Sequence, residues 1–216
     1  MRNKLIILGT SGLAREMAML AEQINAIQQC WDLVGFIGKA GCEIGKDLGF
    51  GVILGDDAWL LSQSFEADLV AGVGYPSIKQ NVLSAYIKKT NQFHFPNLIH
   101  PTAIVDNQHV QLGQGNVITA GCIFTCDISL KDFNLFNWNV TVGHDASIGS
   151  FNVINPGSNI SGYVTIGDRV LIGTGAQILE RLYVESDVTI GAGAVVTKNI
   201  GVGETVVGVP AKPLTR

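Results

Sequence analysis

Two domains of different grammar are predicted: an α/β domain over residues 1–98 and a parallel β-helix over residues 99–216. Three observations carry this. Apolar strand-like runs alternate with helix-period segments in the first half. From Leu112 onward an aliphatic or phenylalanine residue recurs at every sixth position. The composition fits both: 26 of 216 residues are glycine, 47% are hydrophobic and only 15% are charged, against an ordinary charged share of about 25%. So little charge with so much apolar residue excludes a disordered chain.

In the first half, Leu5–Leu8 reads as a strand and Gly9-Thr10-Ser11-Gly12 as a turn, with Ser11 as a helix N-cap. Leu13, Met17, Leu20, Ala21 and Ile24 recur at helical spacing. Asp32–Ile37 reads as a second strand. Asp56 or Asp57 caps a helix carrying Ala58, Trp59, Leu60 and Leu61. Asp68–Val73 is a third strand, and Ile78, Val82, Leu83, Tyr86 and Ile87 mark a third helix. Parallel strands need a crossover, so this alternation means βαβ units and a small Rossmann-like domain.

In the second half the six-residue repeat runs through Leu112, Ile118, Phe124, Leu130, Phe136, Val142, Ile148, Ile154, Ile160, Ile166, Ile172, Ile178, Val184, Ile190 and Val196. The residue two earlier is often small or β-branched, as at Cys122, Val140, Ala146 and Ser158. Six is an even number, so positions two apart face the same side of a strand. A short strand and a turn fit in six residues, and three such edges close a triangular coil of eighteen. The large residue fills the interior and the small one the corner. The glycines that follow the large residue, at 113, 143, 149, 167, 173 and 191, are expected to supply a positive φ at the turn. This is a hexapeptide-repeat β-helix.

Several function classes fall away. A net charge of −4 gives no whole-molecule basic field for nucleic acid or anionic membrane. No apolar run reaches the roughly 18 residues of a membrane span. Cys30, Cys42, Cys122 and Cys126 are too few and scattered for a disulfide scaffold, so a cytoplasmic protein with free thiols is expected. Cys122 falls on an inward small-residue slot and Cys126 on an adjacent strand position, which favours a structural role for both over metal binding. A β-helix hydratase of the γ-carbonic anhydrase kind needs about three histidine ligands. The regular repeat holds only His144, with His109 just before it; no metal is expected.

The tandem hexads resemble those of the left-handed β-helix acyltransferases. Gly143-His144-Asp145-Ala146-Ser147-Ile148-Gly149 resembles the G-H-D-x-x-I-G signature of the NeuD/PglB/VioB-type sugar acyltransferases. Ile190-Gly191-Ala192-Gly193-Ala194-Val195-Val196 and Val207-Gly208-Val209-Pro210-Ala211-Lys212 resemble that family's closing coil and tail, and Asn97-Leu98-Ile99-His100-Pro101 its interdomain link. Gly9-Thr10-Ser11-Gly12-Leu13-Ala14-Arg15-Glu16 resembles its G-x-x-G-x-x-x-E start. The resemblance covers nearly the whole chain. It implies a left-handed helix, acetyl transfer from acetyl-CoA to an amine or hydroxyl of a sugar, and a homotrimer with active sites between neighbouring β-helices. The acceptor it implies is most often the 4-amino group of a nucleotide-linked amino-sugar in bacterial surface-glycan synthesis. O-acetylation of a sialic-acid-type sugar and an inactive sugar-binding β-helix remain as alternatives.

An ammonium cannot attack a thioester, so a proton must be removed, and histidine titrates in the right range. His144 lies two residues after the inward Val142, so it should sit beside a corner and point outward, either as a base or as an ordinary surface histidine. The resemblance makes it the catalytic residue, with Asp145 raising its basicity and Asn137 near the acceptor. The plainer readings are a turn residue at Asp145 and a corner residue at Asn137. Adjacent strand residues point oppositely, so the partner could be reached across a subunit interface. Gly162, Thr174 and Ala192 match cofactor-binding positions. Lys198, Lys212 and Arg216 are either contacts to cofactor phosphates or solvated termini. Ser11, Gly12 and Leu13 open a helix whose N-terminus favours phosphate. Gly38 and Lys39 stand where the family often has paired acids, and the missing acid also argues against NAD. Gly74 matches a glycine after the third strand. Val153 stands where many relatives have a second histidine near the thioester.

Overall fold

The computed structural model describes residues 2–214; Arg216 lies outside them. The chain forms two compact units, Met1–Pro101 and Thr102–Arg216, against the 98/99 boundary read from the sequence.

The first unit runs β1 (Asn3–Leu8), α1 (Gly12–Asn25), β2 (Trp31–Gly38), β3 (Ile53–Asp56), α2 (Asp57–Leu61), β4 (Ala67–Ala71), α3 (Pro76–Ile87) and β5 (Phe93–His94). Its sheet is parallel throughout, in the order β3-β2-β1-β4-β5. The central β1 is buried from Leu5 to Leu8, as a strand covered on both faces must be. β3 and β5 escape the sequence reading because four and two residues carry no periodicity. In α1, Met17, Leu20, Ala21 and Ile24 are buried as expected, with Ala14 and Ala18 beside them. Leu13 is not a core residue. In α3, Leu83 and Tyr86 are buried, but Ile78 is exposed and Lys79 takes the buried place beside it. Asp56 is the α2 cap, its Oδ1 accepting the Trp59 N–H at 2.9 Å.

In the second unit the strands from Val110–Leu112 to Val195–Val196 stack in parallel at a spacing of eighteen residues, so three sheets rise side by side; at the end Thr189 pairs with Thr205, sixteen residues on, and Val206 pairs antiparallel with Pro213. Leu130 pairs with Ile148, Phe136 with Ile154 and Val142 with Ile160. The inward residues from Ile118 to Val196 are buried, and Leu112, at the open first coil, is half-buried. Phe124 and Phe136 meet edge-to-face at 4.9 Å inside the coil. Three buried small-residue slots hold asparagine instead. Asn134 and Asn152 donate their N–H groups to the Oδ1 of Asn116 and Asn134 at 3.0 Å, and Val170 donates to Asn152 Oδ1 at 2.6 Å. Cys122 occupies its inward slot fully buried, and burial pushes its thiol pKa up. Cys126 lies in a bend, not on a strand, and is exposed.

The glycine expectation is corrected. The positive φ comes two residues later than expected, at one position per hexad, and most of its occupants are not glycine: Asp127, Phe133, Asn139, Asp145, Phe151, Tyr163, Arg169, Arg181 and Asp187 have φ of 55–64°. The glycines that follow the inward residues serve close approach of stacked coils instead. A Cβ on Gly173 would lie 2.4 Å from the Ala192 nitrogen, and one on Gly143 2.6 Å from the Gly162 nitrogen.

Candidate active site

In the β-helix unit, His144 and Asp145 form the turn after the strand Thr141–Val142. They are not on a strand, so they need not point apart. Asp145 sits in the left-handed region at φ 57°, which turns its carboxylate back toward its neighbour. His144 Nδ1 and Asp145 Oδ2 are 2.8 Å apart within one chain. The two meet within one chain, because the left-handed residue reverses the side-chain alternation of a strand. An ionised carboxylate can only accept, so Nδ1 carries the proton of the neutral imidazole and Nε2 keeps its lone pair. Both side chains are about half exposed.

Gly162 lies one coil above His144. A Cβ there would be 2.8 Å from both Cε1 and Nε2 of the imidazole, so the ring rests on bare backbone. Tyr163, the next residue, meets the imidazole edge-to-face at 5.2 Å and 89°. The Arg181 guanidinium lies over the Tyr163 ring at 4.4 Å. Neither residue was singled out from the sequence. The signal was there: they follow Asp145 at successive steps of eighteen, the period that stacks one coil on the next.

Asn137, Thr174 and Ala192 belong to a different corner, the one after the strands Leu135–Phe136, Leu171–Ile172 and Thr189–Ile190. There the Gly193 N–H donates to the Thr174 carbonyl at 2.8 Å, and Thr174 and Ala192 are exposed. Asn137 is buried, and its Oδ1 has no hydrogen-bond partner. A single chain therefore gathers His144, Asp145 and Gly162, and separately Asn137, Thr174 and Ala192. Val153 is buried between Leu135 and Leu171. Lys198 and Lys212 are exposed.

In the first unit, Ser11, Gly12, Leu13, Gly38, Lys39 and Gly74 all line one cavity of about 560 Å³. It opens at the carboxyl ends of β1, β2 and β4, where the strand order reverses, the usual crevice of an open parallel sheet. Ser11 occupies the α1 N-cap position but makes no side-chain cap; its hydroxyl donates to the Gly72 carbonyl at 3.3 Å. Gly38 is set by packing: a Cβ there would lie 2.5 Å from Cys42 Cβ, so the loop carrying Cys42 fills the space an acidic side chain would need. Thr10, Asp57, Tyr75 and Val82 also line the cavity and were not anticipated. The Tyr86 hydroxyl donates to Asp57 at 2.5 Å, and burial together with this carboxylate pushes the tyrosine pKa up.

A family described as bacterial transferase hexapeptide (six repeats) matches residues 163–198. No curated protein matches the sequence. Among solved structures, the acetyltransferase domain of PglB from Neisseria gonorrhoeae FA1090 is 33% identical over 99% of this chain and 100% of that one, with a TM-score of 0.86. The chain belongs to the hexapeptide-repeat sugar acyltransferases of the NeuD/PglB type. The same PglB domain has a structure in complex with acetyl coenzyme A, at a TM-score of 0.87 and 33% identity over 99% of this chain and 100% of that one. PerB from Caulobacter crescentus, in complex with CoA and GDP-perosamine, is 26% identical over 98% of this chain and 97% of that one, with a TM-score of 0.83. WeeI from Acinetobacter baumannii AYE is 25% identical over 98% and 100%, at 0.84. Among the described residues of this sugar acyltransferase, no group of three or more His, Cys, Asp or Glu side chains is placed to hold a metal. No helix among them is long and apolar enough to cross a membrane.

Proposed function

We propose that this acyltransferase moves the acetyl group of acetyl-CoA onto the 4-amino group of a nucleotide-linked amino-sugar, in bacterial surface-glycan synthesis. The observation that carries the reading is the His144–Asp145 pair, with Nδ1 tied to a carboxylate and Nε2 lying over Gly162. His144 is the general base and Asp145 fixes its tautomer and supports the imidazolium. As the amine nitrogen bonds to the thioester carbonyl carbon, Nε2 takes one of its protons. The tetrahedral adduct collapses, the carbon–sulfur bond breaks, and the imidazolium proton passes to the departing CoA thiolate. The products are an acetamido sugar and CoA. General-base catalysis of this kind contributes about 10²–10⁴ in rate, and holding amine and thioester together supplies much of the rest.

The first unit, a Rossmann-like domain in this reading, holds the nucleotide in its 560 Å³ cavity. The first-turn N–H groups of α1, left uncapped by Ser11, face the diphosphate, with Leu13, Gly38, Lys39 and Gly74 around the rest. The second unit is a left-handed β-helix that takes acetyl-CoA along Gly162, Thr174 and Ala192. The orphaned Asn137 Oδ1 accepts an N–H of the acceptor amine. His144 and Asn137 lie at different corners of one chain, which suits a homotrimer whose sites form between neighbours. Free cysteines and a thioester co-substrate suit a cytoplasmic enzyme. The test is CoA release from acetyl-CoA with a panel of UDP-, dTDP- and GDP-4-amino-sugars. One or more should support turnover, and His144→Ala should lower it at least 100-fold with acetyl-CoA affinity nearly intact. No release with any of them and no acetyl-CoA binding by calorimetry would refute the enzyme reading. Unchanged turnover in His144→Ala would remove that residue from catalysis.

A further inference from the structure

His144 is about half exposed, and among the described residues its side chain is hydrogen-bonded to a carboxylate that is itself 40% exposed. In water such a pair holds an imidazole weakly. Gly162 packs against the ring, but a flat backbone surface does not stop it from swinging. Beside the ring stands Tyr163, edge-to-face with the imidazole at 5.2 Å.

Tyr163 is itself fixed. Its N–H donates to the His144 carbonyl at 2.9 Å, and its φ of 59° aims the side chain out of the corner beside the imidazole. Arg181, one coil further, donates its N–H to the Gly162 carbonyl at 3.0 Å and lays its guanidinium on the Tyr163 ring at 4.4 Å. The cation meets the electron-rich face of the phenol, and the phenol in turn meets the imidazole. The corner is thus a column of side chains rising coil by coil: Asp145 with His144, then Tyr163, then Arg181.

We infer that Tyr163, braced by Arg181, is a positioning residue that holds the His144 imidazole in the orientation that keeps Nδ1 on Asp145 and leaves Nε2 for the acceptor. The inference rests on the reading of His144 as the base. It requires the aromatic ring and not the hydroxyl, since the contact is between rings.

The backbone offers a clean variant. Residue 163 is left-handed, and the equivalent hexad positions at another corner are glycine in Gly157, Gly175 and Gly193. Tyr163→Gly therefore removes the ring without straining the turn. Two readouts are taken on the full chain. The first is acetyl transfer with whichever panel sugar supports turnover, with kcat and KM separated. Tyr163→Gly should lower kcat about three- to tenfold with KM for acetyl-CoA and the melting temperature nearly unchanged. Tyr163→Phe should restore wild-type kcat, and Arg181→Ala should fall between. The second readout needs no substrate: nitrogen-15 NMR of the imidazoles, with His144 assigned by its loss in His144→Gln. Neutral His144 should show the Nδ1–H tautomer in the wild type and in Tyr163→Phe, and a mixture closer to free histidine in Tyr163→Gly. Wild-type kcat and an unchanged tautomer in Tyr163→Gly, while His144→Ala is inactive, overturn the positioning role alone. Equal losses in Tyr163→Phe and Tyr163→Gly also overturn it, by moving the effect to the hydroxyl. Full turnover in His144→Ala overturns the reading of His144 and the inference with it.

Discussion

Gly162→Ala separates a catalytic placement from a folding requirement. The added methyl would stand 2.8 Å from His144 Cε1 and Nε2 and 3.2 Å from Cδ2. Ordinary contact between such atoms is about 3.5–4.0 Å, so the imidazole must withdraw by roughly 1 Å. The ring is half exposed and swings away cheaply. The backbone at Gly162 is not among those with positive φ, so alanine fits it and gains about 0.4–1 kcal/mol from a less flexible unfolded chain. Net stability should therefore stay within about 1 kcal/mol, or about 4 °C in melting temperature for a unit of this size. A misplacement of about 1 Å at the reacting centre costs on the order of 100-fold in rate. The assay is initial-rate CoA release at saturating acetyl-CoA, beside calorimetric melting. Turnover at saturating acetyl-CoA should fall about 30- to 100-fold while the melting temperature holds. Added to His144→Ala, the substitution should cost little more, since the group it displaces is already gone. Full turnover in Gly162→Ala, or an undiminished further loss on the His144→Ala background, would refute this reasoning.

Other outcomes follow from the packing and the buried charge. Gly173→Ala places a Cβ 2.4 Å from backbone that cannot rotate aside and should cost about 2–3 kcal/mol. Gly175→Ala, with φ of 70° and open space around it, should cost only about 1 kcal/mol; melting of the two variants reads the difference. Burial lowers the Lys79 ammonium from 10.5 to about 7, so from pH 7 to 10.5 the unfolded chain holds a proton that the folded chain has released. Stability therefore rises across that window and is flat below it. Lys79→Met should flatten the rise in a series of urea midpoints, and an unchanged slope would place the titration elsewhere.

The sequence made the β-helix legible because its interior obeys one rule at every sixth residue, and Ile118 through Val196 are buried accordingly. It made the cavity of the first unit legible because Ser11, Gly38 and Gly74 each close a strand or open a helix at the same end of one sheet. What it hid was local backbone sign. Nothing in the letters of Asp145 announces a φ of 57°, yet that angle decides whether the carboxylate meets His144 or points away from it. Neighbours across coils were hidden for a related reason. Tyr163 and Arg181 are distant from His144 along the chain, and only the stacking of coils makes them adjacent. In α3 the helical period favoured Ile78 over Lys79, and tertiary packing reversed them.

The buried asparagines have a further consequence. A chain of near-identical hexads can stack on itself in several alignments of similar energy, which is a source of folding error. Asn116, Asn134 and Asn152 break that degeneracy. The Asn134 Nδ2 donates to Asn116 Oδ1 at 3.0 Å, a side-chain pairing that forms only when the second of these coils sits eighteen residues above the first. A slip by a single hexad would set carboxamides against aliphatic side chains and strand their polar atoms in the interior. The ladder thus works as a key cut into an otherwise uniform rod: it gives up some apolar burial, and in exchange only one alignment of the first coils fits.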